Sequence, residues 1–155
     1  MAERVHAILG YNDGILDGVA NYKGTPHAFV IAGDLDAEAP RYRLKPISPS
    51  EFELFEEYWL MWRRWEDAFY KSAVQADSPA VLPEDRPRHD EIEPAVKRSL
   101  TVPDDAGFVA RGSFRPSPLR NDLRDGRWGG LEVEWTPEDV AIQPAVVTDG
   151  ASRRR

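Results

Sequence analysis

The sequence predicts an α+β fold in which an antiparallel sheet of about five to six strands packs on one long aromatic helix and a second, shorter helix. Three observations lead to this prediction. The N-terminal third alternates apolar and polar residues, a central segment repeats aromatic residues with the helical period, and two further alternating segments follow. The order of four strands, two helices and two strands lacks the strand–helix alternation of a parallel sheet.

Four strands are predicted in the first third of the chain. The Asn-Asp-Gly sequence at 12–14 and the Lys-Gly-Thr-Pro sequence at 23–26 are turn signals between them. Gly18 lies inside the second strand, where a glycine indicates a bulge or a close approach of another backbone. The predicted strands cover residues 4–11, 15–22, 27–35 and 41–47.

The segment 48–73 is predicted to form the long helix. Ser48 is the N-cap, Pro49 the first helical residue, and Glu51 follows three after the cap, which together make a capping box. Glu66 is predicted to project into the apolar half of this helix. At about 100° per residue, that half holds Phe52, Leu54, Phe55, Tyr58, Trp59, Met61, Trp62, Trp65 and Phe69.

The remainder of the chain is predicted to hold one short helix and two strands. Asp90 is the expected N-cap of this helix, and Pro94 is compatible only with its first turn or a kink. The predicted elements are a loop at 74–90, the helix at 91–100, strands at 108–114 and 131–136, and a loop at 115–130. We expect one domain over 1–143 and a flexible C-terminal tail over 144–155.

Composition and charge exclude several classes of function. The formal net charge of −7 disfavours binding to the phosphate backbone of duplex nucleic acid. The sequence has no long apolar run, so we expect no membrane association. It has no cysteine, which excludes disulfides and thiolate chemistry and suits a cytoplasmic location. No cofactor and no metal site are predicted.

Two motifs resemble those of a set of small bacterial proteins with no assigned activity. That set has the pattern G-x-A-x-Y-x-G-x-P-H followed by W-x-x-W-x-x-W-E-x-A-F, and the resemblance covers most of residues 11–114. It implies a bacterial origin and a shared architecture, and it implies no catalytic function. The matching residues here are Gly18, Ala20, Tyr22, Gly24, Pro26 and His27, then Trp59, Trp62, Trp65, Glu66, Ala68 and Phe69.

Glu66 is the first candidate for chemistry. A carboxyl group among aromatic rings has its pKa raised by desolvation, which is how a general acid is tuned. The alternative, which we favour, is that an arginine neutralises it, since buried charges are normally paired. The expected partners are Arg41, Arg43 or Arg111 on the neighbouring strands.

His27 is the second candidate. It follows the hairpin that carries Asp13 and Asp17, and a histidine with two carboxylates can bind a metal or transfer protons. The chain has three histidines and no H-x-H or H-E-x-x-H spacing. A structural pairing of His27 with Asp17 across the hairpin is therefore the favoured interpretation.

The sequence favours a small acidic cytosolic protein that binds another protein, in an immunity-like or accessory role, without catalysis. Exposed aromatic residues beside arginines are typical of protein-binding surfaces. The alternative is a small hydrolase or ligand-binding protein with a pocket between the N-terminal hairpin and the aromatic helix, using Glu66, His27 and Asp17. The predicted binding residues are Tyr22, Trp59, Trp62, Arg63, Trp65 and Tyr70.

Overall fold

The computed structural model describes residues 1–35, 38–76, 79–118 and 130–138. These residues form six strands and two helices, in the predicted order. The strands are β1 (Ala2–Tyr11), β2 (Ile15–Tyr22), β3 (Thr25–Ile31), β4 (Arg41–Pro46), β5 (Phe108–Pro116) and β6 (Leu131–Pro137), and the helices are α1 (Pro49–Tyr70) and α2 (Arg86–Leu100).

The six strands form a closed barrel in sequence order. Every neighbouring pair is antiparallel, and the barrel closes where Ala2–Arg4 of β1 pair with Glu132–Glu134 of β6. The prediction of a mixed α+β fold with an antiparallel sheet is therefore confirmed. Closure of the sheet is a feature that the sequence did not predict.

The turns and irregularities of the first hairpins follow from local sequence. Lys23 and Gly24 both have positive φ, 51° and 79°, as a two-residue type I′ turn requires. The register of β1 on β2 shifts at several points, and Ile8 lies opposite Gly18. A Cβ atom on Gly18 would lie 2.1 Å from the Ala7 carbonyl oxygen, so only glycine fits there.

The barrel interior is filled by aromatic and aliphatic side chains. Phe29, Tyr42, Phe114 and Trp135 lie with their ring centroids 5.4 to 5.9 Å apart. The Tyr42 hydroxyl donates a hydrogen bond to the Ile15 carbonyl oxygen at 2.7 Å, and burial raises the pKa of Tyr42 to about 12. The buried interior set is Val5, Ala20, Phe29, Tyr42, Leu44, Ala110 and Val133.

The two helices pack on the outside of the barrel. Val19 of β2 and Ala28 of β3 face outward and contact Phe55 of α1 and Val96 of α2. Since side chains alternate along a strand, these outward residues sit next to the inward Ala20 and Phe29. The helices contact each other through Met61 and Ile92, which pack with Val81 of the preceding loop, and through the Arg88–Glu57 ion pair. Arg64 of α1 also pairs with Asp85, the N-cap residue of α2.

Helix α1 begins at the predicted capping box. The Glu51 N–H donates to the Ser48 hydroxyl at 3.1 Å, and the Ser48 N–H donates to the Glu51 carboxylate at 2.9 Å. Its apolar half is only partly buried. In that half Trp62 and Phe69 are each 37% exposed, whereas Phe55, Trp59 and Met61 are buried. Glu66 is also buried, and the neighbouring Tyr70 is 45% exposed.

Helix α2 differs from its prediction. It begins at Arg86 rather than residue 91, and Pro94 lies inside it. Asp90 is therefore a helical residue and not the N-cap; it pairs with Arg86 and His89. The predicted start is too late because the prediction did not use Pro87. This proline lies within the first two positions of α2, where proline itself indicates the start of a helix.

Strand bounds also differ from the predicted ones. β3 ends at Ile31, four residues before the predicted end, and β5 extends to Pro116. The predicted tail at 144–155 and most of the predicted loop at 115–130 lie outside the described residues. Within the part of the chain that the structure describes, neither helix has the length and apolar character needed to cross a membrane.

Candidate binding cleft between strand β1 and helix α1

A cleft of about 740 Å³ separates β1 from α1. The β1–β6 pairing covers Ala2–Arg4, and the residues of β1 beyond it form one wall of the cleft. The other wall is the aromatic side of α1. The lining residues are mostly apolar, and they are Val5, His6, Ala7, Ile8, Leu9, Tyr11, Tyr58, Trp59, Trp62, Arg63, Glu66, Pro116, Gly130 and Leu131.

An ion pair on α1 lies in this apolar cleft. Arg63 Nη1 donates to Glu66 Oε1 at 2.8 Å, and the two side chains are only 12% and 10% exposed. The Arg63 guanidinium lies 4.2 Å from the ring centroid of Trp59 and 5.1 Å from that of Trp62. The two indoles are stacked, with centroids 5.6 Å apart. Cation–π contact therefore orients Arg63 toward Glu66.

The arginine partner that we expected for Glu66 is present, but it belongs to the same helix. The three strand arginines have other partners. Arg41 pairs with Glu138 at 2.8 Å, Arg43 donates to the Ala106 carbonyl oxygen, and Arg111 donates to the Ala39 carbonyl oxygen. Glu66 and Arg63 are three residues apart, so one face of one helix brings them together.

Only one oxygen of the Glu66 carboxylate is used by this pair. Oε1 accepts from Arg63, and no residue in the described ranges donates to Oε2. Glu66 as a residue is 7% exposed and lines the cleft. The cleft therefore contains a carboxylate oxygen that is free to accept a hydrogen bond.

His6 and Tyr58 complete the polar part of the cleft wall. His6 Nε2 lies 2.9 Å from Asn21 Oδ1, and its ring packs edge-on against Phe52. The Tyr58 hydroxyl donates to Glu93 at 2.8 Å, and burial together with that carboxylate raises the pKa of Tyr58. Tyr58 therefore remains a neutral donor whose hydroxyl is held by α2.

The predicted residues His27 and Tyr22 lie away from the cleft. His27 is on the same face of β3 as Phe29, which places it toward the barrel interior. Its ring contacts those of Tyr22 and Phe108, at 5.5 and 5.8 Å, and its Nδ1 lies 2.7 Å from the Thr25 carbonyl oxygen. The structure does not bring His27 and Glu66 together.

Asp17 lies in a different place again. It lines a second, smaller cavity of about 350 Å³ with Leu9, Tyr58 and Val96, on the side of the barrel that α2 covers. Burial raises the pKa of Asp17, and a hydrogen bond from the Gly10 backbone partly opposes that rise. Its Oδ1 is buried and has no partner among the described residues. The proposed trio of Glu66, His27 and Asp17 is therefore not assembled.

The last turns of α1 carry a second aromatic feature. Trp65 stacks on Phe69 at 5.1 Å, and Tyr70 meets Phe69 edge-on at 5.6 Å. Trp62 connects them to the cleft, which it lines. We call Trp62, Trp65, Phe69 and Tyr70 the aromatic surface of α1.

The sequence interpretation missed the β1 wall of the cleft. Ala7, Ile8 and Leu9 are three consecutive apolar residues, and they cannot all point to one face of a strand. Such a run indicates a strand covered on both faces, a signal that could have placed β1 beside α1. Within the described ranges, no three His, Cys, Asp or Glu side chains are grouped so that they could hold a metal ion.

Comparison of the chain with protein-family models, curated proteins and solved structures finds no match in any of the three.

Proposed function

We propose that the protein acts by binding another protein, in an immunity-like or accessory role, and that it has no catalytic activity. The binding site is the cleft between β1 and α1 together with the aromatic surface of α1. The observation that carries the proposal is Trp62, which lines the cleft and is also 37% exposed. Tryptophan at such a position is typical of residues that dominate the binding energy of interfaces.

The surroundings of Trp62 support a protein partner. Phe69 and Tyr70 extend the exposed aromatic area beyond the cleft along the same helix. An apolar area rimmed by polar residues on a small domain commonly marks a contact site. The Arg63–Glu66 pair fixes the cleft wall before binding, which lowers the entropic cost of association.

Charge and composition limit the kind of partner. The net charge of −7 disfavours nucleic acid and favours a partner with a basic surface around the contact. The lack of cysteine suits a reducing compartment, which supports a cytoplasmic location. The separation of Glu66, His27 and Asp17 supports a role without catalysis.

The test is affinity capture from cells that naturally express the protein, with three tagged versions. Trp62→Ala removes the shared aromatic, and Glu53→Ala is the control, since Glu53 is an exposed residue of the same helix. We expect one partner to be retained by the parent and by Glu53→Ala and lost from Trp62→Ala. The identified partner is then purified and the binary affinity measured by calorimetry.

Capture that is equal for Trp62→Ala and the parent would overturn the site. A parent protein that retains no partner, and remains alone under chemical cross-linking, would overturn the function. Circular dichroism of Trp62→Ala must match that of the parent, so that lost capture is not lost folding.

A second candidate function is binding of a small molecule in the same cleft. The volume of about 740 Å³ favours it, because ligand pockets span roughly 300 to 1,000 Å³. The protein purified from its natural source and extracted with organic solvent would then yield a stoichiometric small molecule by mass spectrometry. Extracts without such a molecule would leave the protein partner as the proposal.

A further inference from the structure

We propose that the cleft accepts an uncharged aromatic side chain with a hydrogen-bond donor, a tryptophan or tyrosine presented by the protein partner. This inference rests on the proposed function and names the group that fills the site. The juxtaposition behind it is a carboxylate oxygen without a donor, Glu66 Oε2, set beside the stacked indoles of Trp59 and Trp62.

The free oxygen selects for a donor. Glu66 as a residue is 7% exposed, and a carboxylate oxygen that loses its water without gaining a hydrogen-bond donor loses favourable free energy. A purely apolar occupant would displace water from Oε2 without replacing the hydrogen bond that the water made. An N–H or O–H group at that point satisfies it, and hydrogen bonds to an ionised acceptor are about twice as strong as neutral ones.

The charge of the cleft selects for a neutral occupant. Among the described lining residues, Arg63 and Glu66 are the only Lys, Arg, Asp or Glu, and they neutralise each other at 2.8 Å. A bound ammonium group would add an uncompensated positive charge next to Arg63. A bound carboxylate would face Glu66. Either charge would lose water without gaining a countercharge.

The lining of the cleft selects for an aromatic group. Leu9 on one side and Trp59 and Trp62 on the other present apolar surface to the occupant. Aromatic rings favour offset-stacked or edge-to-face contact with one another. Tryptophan and tyrosine side chains combine such a ring with one neutral donor.

A matched series of small probes tests the inference on the protein as it is. The probes are 3-methylindole, which is the tryptophan side chain, 1,3-dimethylindole, which lacks the N–H, tryptamine, which is a cation, and indole-3-acetate, which is an anion. Affinities are measured by following the tryptophan indole N–H signals of the protein in NMR titrations, at about 0.15 M salt to screen the net charge.

We expect 3-methylindole to bind about tenfold more tightly than 1,3-dimethylindole, in line with one hydrogen bond to a charged acceptor. Both charged probes should bind more weakly than 3-methylindole. In Glu66→Gln the advantage of 3-methylindole over its N-methyl analogue should shrink, and in Glu53→Gln it should stay unchanged. The comparison uses the ratio of two probes in each variant, so it tolerates a modest loss of stability.

Three results would overturn the inference. They are equal affinity for the two indoles, tightest binding of tryptamine or indole-3-acetate, and no perturbation of any indole signal by 3-methylindole. None of these three results changes the expected outcome of the capture experiment with Trp62→Ala. Trp62-dependent capture combined with any of the three would mean that the partner fills the cleft with a different group.

Discussion

At the scale of single residues, the positions of Glu66 and Asp17 show how two carboxylates of one small protein come to differ. Glu66 is neutralised by an arginine one helical turn away, at 2.8 Å. Asp17 has no arginine or lysine partner among the described residues, and burial raises its pKa. The ion pair of Glu66 therefore contributes to the stability of the fold, whereas ionisation of Asp17 lowers that stability.

The Asp17→Asn variant is expected to be more stable than the parent at neutral pH. The folded-state pKa of Asp17 lies above its ordinary value of 3.8, so ionisation at neutral pH costs more in the folded state than in the unfolded state. Below that ordinary value both states are protonated and the cost vanishes. Thermal midpoints of both proteins, measured from neutral to acidic pH, should differ most at neutral pH and converge in acid. A difference that is independent of pH would contradict this account.

The Glu66→Leu variant is expected to lose about 2–3 kcal/mol of unfolding free energy, since it removes the 2.8 Å ion pair with Arg63 from a largely buried site. Glu53→Leu, at an exposed position of the same helix, should change stability by less than about 0.5 kcal/mol. Urea denaturation monitored by circular dichroism measures both. Equal midpoints for Glu66→Leu and the parent would show that the pair stabilises nothing.

At this scale the partner of Glu66 could have been predicted from the sequence. The apolar surroundings of Glu66 predict an arginine partner, but the predicted partners were Arg41, Arg43 and Arg111 on the strands. Arg63 lies three residues earlier on the same helix, where i,i+3 pairing is a local rule. The interior position of His27 had no such local signal, because it depends on which face of β3 the barrel encloses.

At the scale of elements, α1 is the segment whose sequence and structure agree in most detail. Both hydrogen bonds of the predicted capping box are present at Ser48 and Glu51. A second contact extends the box, since the Ser99 hydroxyl of α2 donates to Glu51 at 2.6 Å. The cap therefore also joins the start of α1 to the end of α2.

The Ser48→Ala variant is expected to lose about 1 kcal/mol of unfolding free energy, because the Glu51 N–H would lose its acceptor. Ser50→Ala is the matched control, since it keeps both bonds of the capping box. Chemical denaturation of the two variants should separate them. Equal losses in both would assign the effect to helix propensity at exposed serines and not to the cap.

The second helix shows where element prediction fails. Pro94 argued for a late start of the helix, yet α2 continues through it. Burial of His89, Ile92 and Val96 on one face of α2 supplies the packing that offsets the lost hydrogen bond. A tertiary contact of this kind cannot be seen from the proline alone.

At the scale of the whole molecule, the barrel is closed by residues that are far apart in the chain. Ala2–Arg4 pair with Glu132–Glu134, and nothing in either short segment identifies the other. The strands themselves were predictable from alternation and turn signals, and six of them formed as expected. Closure was not predictable, because it depends on the twist of the complete sheet.

Deletion of residues 144–155 is expected to change the unfolding free energy by less than about 0.5 kcal/mol, since the predicted tail belongs to no predicted element. Glu138 is the last described residue with ties to the barrel. Its carboxylate pairs with Arg41 at 2.8 Å, and its N–H donates to the Val109 carbonyl oxygen at 3.1 Å. Thermal denaturation of the shortened chain tests this.

A chain that ends at Pro137 is the control for that deletion. It removes Glu138 and leaves Arg41 without this carboxylate, so it should unfold at a lower temperature than the chain that ends at residue 143. Equal midpoints for the two shortened chains would show that the contacts of Glu138 do not contribute to stability.

Pairing of the first and last strands of the described residues also has a kinetic consequence. β1, β2 and β3 are joined by turns of three and two residues and can pair as they leave the ribosome, whereas β6 is the last strand of the described residues to be synthesised. Bringing distant segments together is entropically costly, so the β1–β6 seam is expected to form late. Until then the N-terminal strand presents an unsatisfied edge. The nascent chain is most exposed to misassociation during that interval, and a chaperone would have the most time to act on it then.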